Sequence, residues 1–248
     1  MNSKTILVCA LALVAMPADA DDLRRFLGTP LPDARGGPVL APAACQGGLR
    51  NDDGSFEGAT GYANAVQLGT YVMALDIPAG FQPARVCLCW TRGPFNNGPD
   101  VDFDVVFYAN DGFGPDPLGG GRGYPGTELG RVSAHAGDVP EFNVDGVGMY
   151  PVQLPPALAN LSGIVFVGAE WEPFVHRQFF LCNDAEVETQ LRPVHDAWSN
   201  VPPEPFWSPV SPLRPTYRSL GTVLYGNAVH AGDFECAPQR PGCPPAPP

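Results

Sequence analysis

Val101-Asp-Phe-Asp-Val-Val-Phe-Tyr-Ala109 is the stretch on which the fold turns. Its odd positions, Val101, Phe103, Val105, Phe107 and Ala109, are all apolar, and Asp102 and Asp104 stand between them. A period of two is the repeat of a β-strand, so one face meets a core and the other holds two carboxylates near water. The Gly/Pro/Asp-rich segment from Asn110 to Gly123 reads as a long loop, and Pro125-Gly-Thr-Glu-Leu-Gly-Arg-Val132 as a turn entering the next strand.

The same reading extends to both sides. Ala65 to Ile77 is strand-like and is ended by Pro78-Ala-Gly80, and Pro83 to Thr91 is a second strand. That second strand carries Val86, Leu88 and Trp90 on one face and Cys87 and Cys89 on the other. Asn96-Asn-Gly98 marks the turn that follows. Beyond Val132 the chain shows little pattern up to Val147, then a short strand over Gly148 to Leu154. Gly163 to Trp171 is a continuous apolar run of strand length, which predicts a strand buried on both faces, with Phe179 to Cys182 pairing with it. A proline-rich connection runs from Asn183 to Tyr217, and Arg218 to Tyr225 closes the sheet. Many short strands joined by Gly/Pro turns, with no amphipathic helix of normal length, predict an all-β antiparallel β-sandwich, jelly-roll-like, with long loops and disulfides.

Around that body, Met1 to Ala20 has the form of a signal peptide: Lys4, an apolar run from Ile6 to Ala15, and Ala18-Asp19-Ala20 as the cleavage site. The expected organisation is a signal peptide over 1–20, a Pro-rich linker over 21–45, the sandwich over 46–226 and a Pro-rich tail over 227–248. The expected location is therefore secreted, extracellular or periplasmic, with no membrane insertion. The six cysteines beyond the leader, Cys45, Cys87, Cys89, Cys182, Cys236 and Cys243, make an even set that suits disulfides in that setting. Cys87 and Cys89 point the same way along a strand and cannot easily pair with each other. They are expected to take Cys45 and Cys182 in either order, with Cys236 closing a small loop with Cys243.

The formal net charge of the 248 residues is −12, and Lys4 is the only lysine. Scattered arginines on an acidic chain exclude a phosphate-reading surface, so nucleic acid is not an expected partner. Asp52, Asp53 and Glu57 surround Gly54 in Asn51-Asp-Asp-Gly-Ser-Phe-Glu57, a turn that offers hard oxygen ligands for calcium or forms a solvated acidic turn. Calcium is a possible cofactor and none is required. On the strand over 101–109, Asp102 and Asp104 are expected to be matched by an arginine, with Arg85 as the candidate. Trp198, Phe206 and Trp207 lie among prolines, where they either present flat rings to a sugar, with Asp111 on the neighbouring loop, or anchor the loop to the body.

No catalytic pattern is present: His135, His176, His195 and His230 fall in no metal-ligand spacing, and there is no Gly-x-Ser-x-Gly elbow. Glu170 and Glu172 flank Trp171 in the manner of an acid/base pair, but that spacing also describes the open edge of a strand.

Taken together, Asn51-Asp-Asp-Gly-Ser-Phe-Glu57 with Gly61, Phe103-Asp-Val-Val-Phe-Tyr108 with Asn110-Asp-Gly112, and Pro125-Gly-Thr-Glu-Leu129 resemble the motifs of β-sandwich, jelly-roll-like accessory domains of uncharacterised bacterial secreted proteins. Val165-Phe-Val-Gly-Ala-Glu-Trp171 is similar to the later central strand of that group. The resemblance spans about residues 46 to 226 and implies a carbohydrate- or surface-binding module. The expectation is a secreted non-catalytic binding protein whose partner is a glycan or cell-surface component. The alternatives are a structural or interaction protein of the cell envelope and a polysaccharide hydrolase on the same sandwich.

Overall fold

The computed structural model describes residues 39–40, 43–45, 48–52, 54–112, 123–142, 144–184, 195–199, 207–209 and 219–227. Eight strands form the body: β3 (Gly58–Thr60), β4 (Leu68–Ile77), β5 (Gln82–Arg92), β6 (Val101–Ala109), β7 (Glu128–Ala136), β8 (Val147–Gln153), β9 (Gly163–Trp171) and β10 (Phe179–Asp184). Short strands supplement them: β1 (Val39–Leu40), β2 (Leu49–Arg50), β11 (His195–Ser199), β12 (Ser208–Pro209), β13 (Ser219–Leu220) and the longer β14 (Thr222–Asn227).

The pairing is nested. β6 pairs with β7, β5 with β8, β4 with β9 and β3 with β10, every pair antiparallel. Residues 58 to 184 are thus one long hairpin, bent at the connection between β6 and β7 and rolled so that successive pairs fall in alternate sheets. One sheet reads β3-β10-β5-β8 and the other β4-β9-β6-β7. This is the jelly-roll order. β14 and β1 extend the first sheet beside β5 and β8, and β11 and β12 extend the second beyond β4.

The inner faces meet in one core. Val101, Phe103, Val105 and Phe107 of β6 are at most 4% exposed and pack with Val86, Leu88 and Trp90 of β5 and Val165, Val167 and Trp171 of β9. Trp90 meets Trp171 edge-on at 5.1 Å, the geometry favoured by the ring quadrupoles. Strands with period-two patterning bury one face here at about 25 cal/mol per Å² of apolar area removed from water.

Three expectations need correction. Phe179 to Cys182 does not pair with the apolar strand over 163–171; β10 lies in the opposite sheet beside β5 and β3, because strands adjacent in a rolled hairpin alternate sheets. The strand after the turn runs on to Ala136, since its inward positions Val132, Ala134 and Ala136 are too small to give a strong hydrophobic signal. The connection over 183–217 is not wholly a loop: β11 pairs with β4, an attachment made by main-chain hydrogen bonds that requires no apolar pattern.

Cys45 bonds Cys87 and Cys89 bonds Cys182, which resolves the order left open by the sequence. Cys236 and Cys243 lie outside the described residues. On the outward face of β5, Cys87 and Cys89 are roofed by Phe56, Phe142, Met149, Phe180 and Val223, all buried. The two disulfides indicate an oxidising environment, extracellular or periplasmic. Among the described residues no helix is long and apolar enough to cross a membrane.

Candidate functional site

The outer face of the β4-β9-β6-β7 sheet is divided in two. Strand alternation turns Asp102, Asp104, Val106 and Tyr108 of β6 outward, and the register sets them in rows with their neighbours. Asp102 lies opposite His135, and Asp104 between Ser133 and Glu170, with Thr70 beyond. Further along, Val106 lies beside Gly168 and Val72, and Tyr108 beside Phe166 and Ala74. The face is therefore polar at one end and apolar at the other. Gly168 at the join must be glycine, since a Cβ there would stand 1.9 Å from the Tyr71 carbonyl oxygen.

The apolar end is covered. Trp207, 8% exposed, packs edge-on against Tyr108 at 5.0 Å between ring centres, in a cluster with Val72, Ala74, Val106, Tyr124 and Phe166. The ring proposed as a platform for sugar is thus buried as an anchor, because the outward apolar row needs a cover. Trp198 is in β11 opposite Gly69 rather than in a free loop, and Phe206 lies outside the described residues.

The polar end is an open cleft of about 430 Å³ bordered by Asp102, Asp104, Glu170, Glu172, Ser133 and His176, with Leu68, Phe103, Ala134 and Trp171 completing the wall. Arg131 organises it. Its Nη1 donates to Asp104 Oδ2 at 3.0 Å and Glu170 Oε1 at 2.8 Å. Its Nε and Nη2 donate to the two oxygens of Glu128 at 2.9 and 2.8 Å. The remaining oxygens are also engaged: Ser133 Oγ donates to Asp104 Oδ1 at 2.7 Å, and Thr70 Oγ1 to Glu170 Oε2 at 3.0 Å. The hydrogen bonds from Arg131 hold the Glu128 carboxyl below its ordinary range, and the bonds to Glu128 first, then Glu170 and Asp104, raise the guanidinium above its own. Asp102 takes no part in this network; its Oδ1 is hydrogen-bonded with His135 Nδ1 at 2.7 Å and its Oδ2 is 3.9 Å from His176 Nε2.

Asp104 and Glu170 are therefore fixed acceptors sharing one guanidinium, whereas Asp102 and Glu172 are the cleft's less committed carboxylates. The expected match of Asp102 and Asp104 to Arg85 does not occur. Arg85 is on β5, in the other sheet, where its guanidinium lies 4.9 Å from the centre of the Tyr225 ring. The residue in that role is Arg131, legible in principle from the outward alternation of Arg131, Ser133 and His135 once β6 and β7 are set in register.

The β9–β10 loop, which supplies Glu172 and His176 to the cleft, presents Phe174, 55% exposed, and Val175, and the neighbouring β5–β6 loop presents Phe95, 80% exposed. The loops are laced together: Asn97 Nδ2 donates to the Val175 carbonyl at 2.6 Å, and the Phe95 N–H to Gln178 Oε1 at 2.9 Å. These exposed aromatic rings were not among the residues singled out from sequence, where Phe174 and Phe95 carry no pattern of their own.

No protein-family model matches the chain, and no curated protein and no solved structure shows significant similarity to it.

The other sequence-derived candidates fall elsewhere. Asp111 is exposed, and both its oxygens are taken by Thr127, from the N–H to Oδ1 and the hydroxyl to Oδ2, each at 2.7 Å. The Thr127 N–H is the main cause of its lowered pKa. Asp111 is thus a clasp at the base of the β6–β7 hairpin. Asp52 is buried and ion-paired with Arg50, its Oδ1 also accepting the Gly54 N–H at 3.1 Å, and Glu57 accepts from Ser55 at 2.9 Å. Asp53 lies outside the described residues. Among the described residues no three His, Cys, Asp or Glu side chains are grouped to hold a metal ion.

Proposed function

We propose that this chain is an exported, non-catalytic binding domain that uses the cleft beside β6 to hold a glycan or other hydroxyl-rich cell-surface component. The observation that carries the reading is the cleft itself: fixed carboxylate and hydroxyl groups on a rigid sheet, with the exposed ring of Phe174 on the adjoining loop. Carboxylates that are held in place accept sugar hydroxyls without an ordering cost at the moment of binding, and an aromatic ring takes the apolar face of the sugar. The four occupied oxygens of Asp104 and Glu170 suit a wall of acceptors better than a pair that must exchange protons.

The leader over 1–20 is the proposed export signal, in keeping with the disulfides. A glycan array probed with the chain, with Glu172→Ala and Phe174→Ala as controls, tests the reading. Binding to a defined glycan that each substitution weakens about tenfold or more supports it. No binding across the array, or binding indifferent to both substitutions, removes it. The exposed Phe95 favours a second reading, contact with an envelope protein, for which crosslinking from position 95 in the periplasm or at the cell surface is the direct test.

A further inference from the structure

The opposite sheet carries a second group of polar side chains that the cleft does not use. On its outer face Tyr225 of β14 lies opposite Arg85 of β5, and Arg50 of β2 lies opposite Val223, two residues away on β14. A spacing of two returns to the same face, so Arg50, Arg85 and Tyr225 gather on one patch, with Asp52 just beyond Arg50.

The patch is poorly satisfied from within. Among the described residues Arg85 Nε, Arg50 Nε, the Tyr225 hydroxyl and Asp52 Oδ2 are all enclosed without a hydrogen-bond partner. Arg50 is ion-paired with Asp52 through the other carboxylate oxygen. Among the described residues Arg85 makes no ion pair; it stacks on the Tyr225 ring. In a chain of net charge −12 an arginine without a carboxylate partner is unexpected, since acidic groups are in excess. Several polar atoms unpaired among the described residues on one patch mark a place that a bound partner would complete. Two guanidinium groups against one aspartate leave a net positive patch, and the planar fork of Arg85 with a phenolic O–H beside it matches an oxyanion.

We propose that Arg85 and Tyr225, with Arg50 held in place by Asp52, form a binding site for an oxyanion, the carboxylate of a uronic acid residue or a sulfate group. Arg85 and the Tyr225 hydroxyl donate to the anion, and the Tyr225 ring keeps the guanidinium oriented. The Tyr225 proton state accords with this setting: burial raises its pKa, while the charges of Arg50 and Arg85 oppose the rise. The patch lies on the sheet opposite the cleft, so its occupancy stands or falls independently of glycan binding there.

Calorimetric titration of the full chain at fixed ionic strength with D-glucuronate, inorganic sulfate and D-glucose tests the site. Glucuronate or sulfate is expected to bind and glucose not, and which of the two anions binds identifies the source of the group. Arg85→Gln is expected to weaken anion binding about tenfold or more, with Arg85→Lys falling between. Tyr225→Phe separates a ligand role from a structural one. Deleting an unpaired buried hydroxyl leaves thermal stability without ligand equal or raised, yet weakens the anion. Binding of neither anion, binding of glucose as strong as either, or unchanged anion binding in Tyr225→Phe overturns the proposal.

Discussion

The two sheets have outer faces made by the same alternation, yet one is closed over its cysteines and the other half open. On the β3-β10-β5-β8 face, Cys87 and Cys89 point outward and are tied by disulfides to Cys45 and Cys182 beneath buried Phe56, Phe142 and Phe180. On the β4-β9-β6-β7 face, Trp207 covers the rows of Val106 and Tyr108, and the rows of Asp102 and Asp104 border an open cleft beside Arg131. The contrast shows a division of labour. Covalent and apolar cover stabilises one side over its cysteines, while the polar half of the other is held mainly by charged side chains bonded to one another, at little stabilising value.

This contrast is open to measurement. The largest effect is expected on the closed face. In the chain-entropy treatment, Cys89→Ser with Cys182→Ser removes a link across 93 residues and about 5 kcal/mol of stability, and losing the Cys45–Cys87 link across 42 residues costs about 4 kcal/mol. Urea unfolding of the two double variants gives both values; stability within 1 kcal/mol of the parent would break the contrast. Trp207→Ala, on the covered half of the open face, is expected to cost about 3 kcal/mol by leaving a cavity over Tyr108. A cost as large as that of a disulfide would make the two faces equals.

Arg131→Met is expected to cost no more than about 1 kcal/mol, because its network is partly exposed to water. Its clearer signature is in the pH profile. The folded pKa of Glu128 is lowered by Arg131, so its contribution is complete above the unfolded value of about 4.5 and disappears as pH falls through the folded value. The parent should lose that stability in mild acid, and the variant should be flatter over the same window; parallel profiles in thermal unfolding would deny Arg131 its organising role. The smallest effect is expected for Asp111→Asn, which loosens the clasp on Thr127 and should register chiefly as faster amide exchange at Thr127.

How far the sequence could be read depended on how strongly each strand carries its pattern. β6 and β9 were legible to the residue, one from bulky apolar residues at every second position and the other from an unbroken apolar run. The end of β7 was not, because Ala134 and Ala136 occupy the inward positions. β11 was hidden because a strand added beyond β4 is held by its backbone. The cleft was half visible: Asp102 and Asp104 were correctly turned to water, but their neighbours Arg131, Thr70 and Glu170 are brought beside them by pairing register across the sheet. Arg85 was the plausible partner only for a reader who assumes that strands next to each other in sequence are next to each other in space. The disulfide order stayed open for the same reason, since it depends on where β10 and the segment around Cys45 meet β5.

The nested pairing also bears on how the chain reaches its native state. Each pair outward from β6–β7 joins residues farther apart in sequence, so closing it before its inner neighbour would cost additional loop entropy. Assembly is thus cheapest when it zips from the β6–β7 turn toward β3 and β10. The bond between Cys89 and Cys182 joins β5 to one of the last strands in that order. Formation of that bond marks the completion of the roll, and a mispairing of Cys89 before β10 docks would hold β10 away from β5.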